Sequence, residues 1–354
     1  MNLQFSNKRI TGILTILPSK EIKFDDEMDN YNFSKEQSIK LKKIMGYGSH
    51  RIVDTEVCCS DLAIKGLSYL FDSNLLIKDE IDAIIFVSQT PDYLMPATSF
   101  IVHGALGLKK NTYCIDINQG CSGYLVGLHQ AFMLLDQDEI KKVILINADT
   151  LSKKTNKRDR NSYPLIGDAA SISIVEKDAK QSNIFSNMYV DGTNNNVIMI
   201  PAGGLRLPSS VETSTNVEDE KGNFRSKDNL VMKGDLVYNF VQVEVPIMIN
   251  NLIAQASINM DDVHYFLFHQ PNKFMLQKLA DKMKVSYERM PNNVVENFGN
   301  SSGASIPTVI THNFSNEFCN NEYLCCLAGF GVGLTWSSML LKLGNLEFCK
   351  TIYY

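Results

Sequence analysis

Short apolar runs rich in β-branched residues alternate with stretches of helical periodicity through the first half of the 354-residue chain. Ile81 to Val87 (IDAIIFV), Thr112 to Ile117 (TYCIDI), Lys142 to Ala148 (KVILINA) and Ala170 to Val175 (ASISIV) read as buried strands, as near-continuous apolar runs do when a sheet is covered on both faces. ITGILTIL, stopped by Pro18, predicts a first strand. Ser60 to Phe71 predicts a helix whose Ser/Asp start supplies the N-cap. The polar stretch Gly203 to Asn229 is a loop or excursion, after which LVYNFVQVEVPIMINNLI resumes as helix with Pro246 at or near a kink. HYFLF (His264 to Phe268) is a strand, Asn272 to Lys284 an amphipathic helix, and EYLCCLA and LTWSSMLLKL are the closing strands.

The two halves repeat one layout. TYCIDINQGCSGYLVGLHQAF and HYFLFHQPNKFMLQKLADKM are each an apolar strand, a short polar turn with one reactive side chain, and a helix. A chain of this length exceeds the size at which one hydrophobic core stops growing, so an α/β fold of two duplicated halves, residues 1–180 and 181–354, is expected. Duplication of this kind brings the two turns face to face at a pseudo-twofold axis. A site at that seam follows.

Composition narrows the classes. With 44% hydrophobic and 21% charged residues the chain is neither disordered nor fibrous. A net charge of −5 argues against a nucleic-acid partner held by broad phosphate neutralisation, and leaves an acidic partner only a local basic patch to dock on. No apolar run approaches the roughly 18 residues that span a bilayer, and ITGILTIL has no cleavage site after it, so neither membrane insertion nor export is expected and the location should be cytoplasmic. The eight cysteines form no Cys-x-x-Cys pair, and the spacing of His264 and His269 has no cysteine beside it, so no metal site is expected and the thiols should be reduced.

One cysteine stands apart. In DINQGCSG, Cys121 sits between glycines and small residues at the start of an apolar core helix. Backbone N–H groups and the helix dipole there favour an anion, which predicts a thiol pKa lowered toward neutrality. His269, in FLFHQPN, ends an apolar strand and meets polar Gln270 and Asn272, a position that in a parallel α/β sheet points to the ligand-binding edge. In NFGNSSGASIP, small residues around Asn300 predict a tight turn feeding a buried helix, with the Asn amide free to donate. In LAGFGVGLTW, Gly329, Gly331 and Gly333 alternate with apolar residues and free backbone N–H groups for an oxyanion.

Taken in order, DINQGCSG, HQPN, GNSSGASIP and GFGVGLTW resemble the β-ketoacyl-acyl carrier protein synthase III family of thiolase-fold condensing enzymes. The resemblance implies a five-layered αβαβα arrangement, with Cys121 as acyl-accepting nucleophile and His269 and Asn300 donating hydrogen bonds to the extender's thioester oxygen. It implies an oxyanion hole from the backbone N–H groups of Cys121 and Val332, and places Gly331 and Asn272 against substrate. Arg160, in DRNSYPLIGD, matches an arginine set against the adenine of coenzyme A, and Met95, in YLMPATS, a residue that closes the acyl pocket of the neighbouring subunit of a homodimer. The substrates implied are acyl-coenzyme A or an acyl carrier protein thioester, with malonyl carrier protein as extender and no cofactor.

The chain also departs from that family. In KLKKIMGYGSHRI, Ile44 stands where family members carry an arginine that helps hold coenzyme A, and the only tryptophan is Trp336. Delivery of the acyl group on a carrier protein is therefore favoured. Lys273, Lys278, Lys282 and Lys284, on the helix after His269, are the candidates for docking that acidic partner. The long Gly203 to Asn229 segment resembles a subgroup associated with surface-polysaccharide pathways. Two rival readings keep the fold: acyl transfer without decarboxylation to an amine or hydroxyl of a sugar or other small molecule, and a non-catalytic partner subunit. A papain-like hydrolase also runs Cys, His, Asn, but Tyr124 follows where that family has tryptophan nearby.

Overall fold

The structure, a computed structural model, describes residues 1–180, 182–220 and 222–354. Two large sheets organise the chain. Their strands, in chain order, are β1 (Asn2–Ser6), β2 (Lys8–Leu17), β3 (Ala83–Val87), β4 (Tyr113–Ile117), β5 (Lys142–Asp149), β6 (Ala169–Lys177), β7 (Asn183–Val190), β8 (Tyr265–Phe268), β9 (Glu322–Gly331), β10 (Thr335–Gly344) and β11 (Phe348–Tyr353). The principal helices are α1 (Lys35–Met45), α2 (Cys59–Asp72), α3 (Thr98–Leu106), α4 (Gly123–Leu134), α5 (Gly234–Ala256), α6 (Lys273–Met283) and α7 (Ser305–Asn313).

The six-stranded sheet runs β11-β2-β6-β5-β3-β4 and the five-stranded sheet β1-β7-β10-β9-β8. In each, the strand that leads to a reactive turn is an edge strand in parallel pairing, β4 with β3 and β8 with β9. Strand alternation assigns the layers. Ala83, Ile85 and Val87 of β3 point into a central core, whereas Ile84 and Phe86 point into an outer one with α2. The central core lies between the sheets and takes Tyr124, Leu128 and Phe132 from α4, Ile306 and Ile310 from α7, and Leu327 and Met339 from β9 and β10. A helix pressed by sheets on both sides needs apolar residues almost all round, as α4 has. Helices α5 and α6 cover the far side of the second sheet, which completes five layers.

The division at 180/181 falls just before β7, and Gln181 itself lies outside the described residues. The termini cross that division. β1 pairs with β7 in the second sheet and β11 pairs with β2 in the first, so each sheet is closed by a strand from the other end of the chain. Neither half holds all of its own sheet. Two local expectations also change. The N-cap of α2 is Cys58, whose N–H donates to Asp61 at 2.7 Å, while the Ser60 hydroxyl donates to Asp92. Helix α5 is long and apolar enough to cross a membrane by length and composition, contrary to the reading of the sequence, yet Val237, Val241, Val245, Met248, Ile249 and Leu252 seat it on the second sheet as a core helix.

The stretch Gly203 to Asn229 is not plain loop. It holds a short helix, Val211–Ser214, and a two-residue pairing of Val217–Glu218 with Phe224–Arg225; Lys221 lies outside the described residues. Arg225 reaches Asp159 at 3.3 Å and Asp219 at 2.5 Å, which ties this excursion to the loop carrying Arg160.

Phe132 is fully buried between the sheets. Phe132→Ala should lower unfolding free energy by about 3–5 kcal/mol in denaturant titration, as for large aromatic truncations in close-packed cores. A loss below about 1 kcal/mol would mean that the central layer is not packed as described.

Candidate active site

Cys121 lies on the turn between β4 and α4, two residues before the helix begins. The glycine turn between β9 and β10 comes down on it from the other half. A Cβ on Gly331 would fall 2.7 Å from both the Cβ and the Sγ of Cys121, so only glycine permits this approach. The two turns are fastened by side chains. Thr335 Oγ1 donates to the Val332 carbonyl at 2.9 Å, and accepts from Ser122 Oγ at 2.7 Å and from Gln119 Nε2 at 3.3 Å. The Val332 N–H and the cysteine's own N–H are the backbone donors that act on the Cys121 sulfur.

His269 follows β8 directly and is 1% exposed. Its Nδ1 lies 2.8 Å from Ser305 Oγ, which donates to the Ser302 carbonyl at 2.8 Å and accepts from the Gln270 N–H at 3.3 Å. All three contacts are satisfied together when the histidine proton sits on Nδ1 and Nε2 carries a lone pair. Turning the Ser305 hydroxyl onto Nδ1 gives the other tautomer, so this serine serves both. Asn300 is pinned by backbone: its N–H donates to Leu165 at 2.7 Å and its carbonyl accepts from Gly167 at 3.1 Å. Gly299 before it has φ +81°, and a Cβ there would strike Gly167 N at 2.7 Å. The Asn300 Oδ1 accepts the Ser302 N–H at 2.9 Å, which leaves the amide NH2 as the group it offers to the cavity.

Burial sets the charges, and here the sequence-based expectation is corrected. The Cys121 thiol is pushed up to about 11, chiefly by burial and further by the Asp149 carboxylate, against the opposing donors Val332 N–H, Ser302 hydroxyl and Cys121 N–H. Helix-start dipoles do not outweigh desolvation here. His269 is pushed down to about 3 by burial. The resting pair is therefore a neutral thiol and a neutral imidazole. Asp149, raised to about 6 by burial, accepts from the Gln89 N–H at 2.8 Å, Thr90 Oγ1 at 3.0 Å and Ser88 Oγ at 3.2 Å.

Cys121, His269, Asn300 and Gly331 line one cavity of about 520 Å³. Its walls are mostly apolar and aromatic, including Phe24, Tyr31 and Phe33 from the segment around α1, Tyr238 from α5, and Phe330. Arg160 also lines it, with its guanidinium 4.1 Å from the Phe33 ring and one N–H on the Asn32 carbonyl. Asn272 lines it as well, but its side chain is the N-cap of α6, accepting from Met275 N–H at 2.8 Å. Met95 is not part of this wall; it is 83% exposed beside Leu94 and Tyr93. The docking lysines of α6 are engaged: Lys273 with Glu296 at 2.7 Å, Lys278 with Asp281 at 3.8 Å, and Lys282 with the Gln242 carbonyl at 2.6 Å, while Lys284 is the left-handed C-cap. Sequence reading passed over Ser122, Asp149, Ser302, Ser305 and Thr335. Ser122, Ser302, Ser305 and Thr335 stand inside the four motifs but carry no chemical signature of their own there, and Asp149 lies outside all four.

Alkylation of Cys121 by iodoacetamide, followed by peptide mapping, should keep accelerating from about pH 7 to about pH 10, because the thiolate is the minor form below about 11. A rate that levels off below about pH 8 would contradict the burial-raised thiol.

Known proteins bear out the family. The family model of 3-oxoacyl-[acyl-carrier-protein (ACP)] synthase III matches residues 115–192, and that of the synthase III C terminal matches residues 253–343. A Campylobacter jejuni chain is 30% identical over 100% of this chain and 99% of its own length. The β-ketoacyl-[acyl-carrier-protein] synthase III of Streptococcus suis is 30% identical over 96% of this chain and 99% of its own. Among solved structures, a 3-oxoacyl-(acyl-carrier protein) synthase from Burkholderia xenovorans superposes with a TM-score of 0.92 at 32% identity, covering 100% of this chain and 99% of that one. With its layered halves and this sequence similarity along its whole length, the chain belongs to the β-ketoacyl-ACP synthase III family of condensing acyltransferases.

Proposed function

We propose that this chain carries out decarboxylative condensation with Cys121 as the acyl-accepting nucleophile and His269 and Asn300 as its partners. The observation that carries the reading is the meeting of those three side chains in one apolar cavity, with Val332 N–H on the sulfur. Attack of the Cys121 sulfur on an acyl thioester forms a new thioester and expels the donor's thiolate. The thiol proton passes through His269 Nε2 to that leaving sulfur. Negative charge on the tetrahedral oxygen falls to the Cys121 and Val332 N–H groups, whose hydrogen bonds turn from the sulfur to the oxygen as the sulfur bonds to carbon.

Malonyl carrier protein enters next. Its carboxylate leaves as carbon dioxide, and the electron pair moves onto the thioester oxygen as an enolate held by the Asn300 amide and by His269 in its Nε2–H form. The enolate carbon then attacks acyl-Cys121, forming the carbon–carbon bond and breaking the thioester to the enzyme. A neutral imidazole suits this role, because a site that kept imidazolium would spend its proton before the enolate formed.

The acyl donor in this reading is a carrier-bound thioester. Arg160 already stacks on the chain's own Phe33, and Ile44 is exposed where a nucleotide-binding arginine is missing. The chain acts as a cytoplasmic homodimer, with Met95 entering the neighbour's acyl pocket. Support for this is the exposed run Tyr93, Leu94 and Met95, at 63%, 82% and 83%, beside the half-buried edge strand β4.

Intact-mass spectrometry tests the assignment. Incubation with acyl-carrier thioesters should add one acyl mass to the wild type and none to Cys121→Ala. Asn300→Ala should still be acylated but clear its adduct with malonyl carrier about 100-fold more slowly, the typical cost of one oxyanion donor. Acylation of Cys121→Ala, or discharge of the adduct by an amino sugar alone, would overturn the reading.

A further inference from the structure

Helices α1 and α6 both line the cavity, and they differ in the charge they leave exposed. On α6 each lysine but the C-cap is already matched, by Glu296, Asp281 or the Gln242 carbonyl. On α1 the situation is reversed. Leu41 and Met45 face the cavity, and the opposite side of the helix carries Ile39, Lys40, Lys43 and Ile44 to the surface, with Ile39 53% and Ile44 39% exposed. Lys42 is held by Asp25 at 2.6 Å, whereas among the described residues Lys35, Lys40 and Lys43 have no ion-pair partner. Glu36, the single acid of α1, sits in its first turn.

The cationic surface does not end with the helix. Phe33, one residue before the Ser34 cap, carries Arg160 on its ring, and Arg158 beside it stacks on Phe224 at 4.0 Å. A strip of positive charge with apolar residues set in it therefore runs along one lip of the cavity that holds Cys121. Unpaired cations on a rim steer an acidic partner and fix its register, and two isoleucines between them give it an apolar foothold.

We propose that the acidic carrier protein docks on the exposed face of α1, through Lys40 and Lys43 with Ile39 and Ile44, and that α6 is not its principal contact. This rests on the condensing function proposed above. The carrier's thioester arm then enters between Leu41 and Met45 on one side and Phe274 of α6 on the other, both of which line the cavity. Charge selects an acidic occupant, and its kind follows from the rest of the lip: Arg160 is already stacked on Phe33 and so not free for a nucleotide base, whereas the exposed Ile39 and Ile44 between the lysines suit the mixed surface of an acidic helix.

The test compares charge reversals on the two helices in the full-length enzyme. The double variant Lys40→Glu/Lys43→Glu should raise KM for malonyl carrier protein by about 10-fold or more, abolish most of its dependence on ionic strength, and leave acylation of Cys121 by a small N-acetylcysteamine thioester at the wild-type rate. Lys278→Glu should leave KM for the carrier within about twofold, as for an exposed and already paired charge. An unchanged carrier KM in the α1 variant, or a larger effect from Lys278→Glu, overturns the docking surface. Failure of the small thioester to acylate wild-type Cys121 overturns the underlying function, and the docking surface with it.

Discussion

Gly331 pressed against Cys121 is the contact on which the site depends. Each turn alone is ordinary: one starts a core helix, the other joins two antiparallel strands. Brought within van der Waals range, the glycine turn sets the Val332 N–H toward the sulfur, a donor from the other half that joins the cysteine's own N–H. The closeness is possible because Gly331 has no Cβ to strike the Cβ and Sγ of Cys121, and it is held by Ser122 and Thr335 at 2.7 Å. The exchange of terminal strands reinforces the same seam, since β1 and β11 each bind the other half's sheet.

Enclosing the reactive pair has an electrostatic consequence. Water that would solvate a thiolate or an imidazolium is excluded, so both groups rest uncharged. In the reaction proposed above, charge is made only when a thioester oxygen is present to share it, and the fixed N–H donors are worth more in this low-dielectric setting than in water. Asp149 adds a buried acceptor beside the cysteine, held by three donors from the end of β3 and the turn after it. The same burial that makes Cys121 a reluctant thiolate protects it from alternative nucleophilic and oxidative chemistry.

Much of this was legible in the chain because it depends on backbone and pattern. The unbroken apolar run Ala83 to Val87 marks a strand covered on both faces, and the glycine spacing around Gly331 marks a backbone that approaches something closely. Cys121, His269 and Asn300 sit at element ends, where side-chain position follows from the element. What could not be read depends on tertiary placement. Desolvation of Cys121 needs the second half to be in position, so the local helix-start argument gave the wrong sign. The matching of Lys273 by Glu296 joins residues 23 apart in sequence, and the crossing of β1 and β11 joins opposite ends of the chain.

The central claim is that acyl transfer to Cys121 and loss of carbon dioxide are two halves of one reaction in one cavity. Single-turnover experiments with preformed acyl-Cys121 and carboxyl-labelled malonyl carrier protein measure it most directly. Label is expected to leave as carbon dioxide in step with loss of the acyl adduct, one for one, with the acyl group recovered on the carrier as a β-ketoacyl thioester. Loss of the adduct with the malonyl carboxylate intact would contradict it.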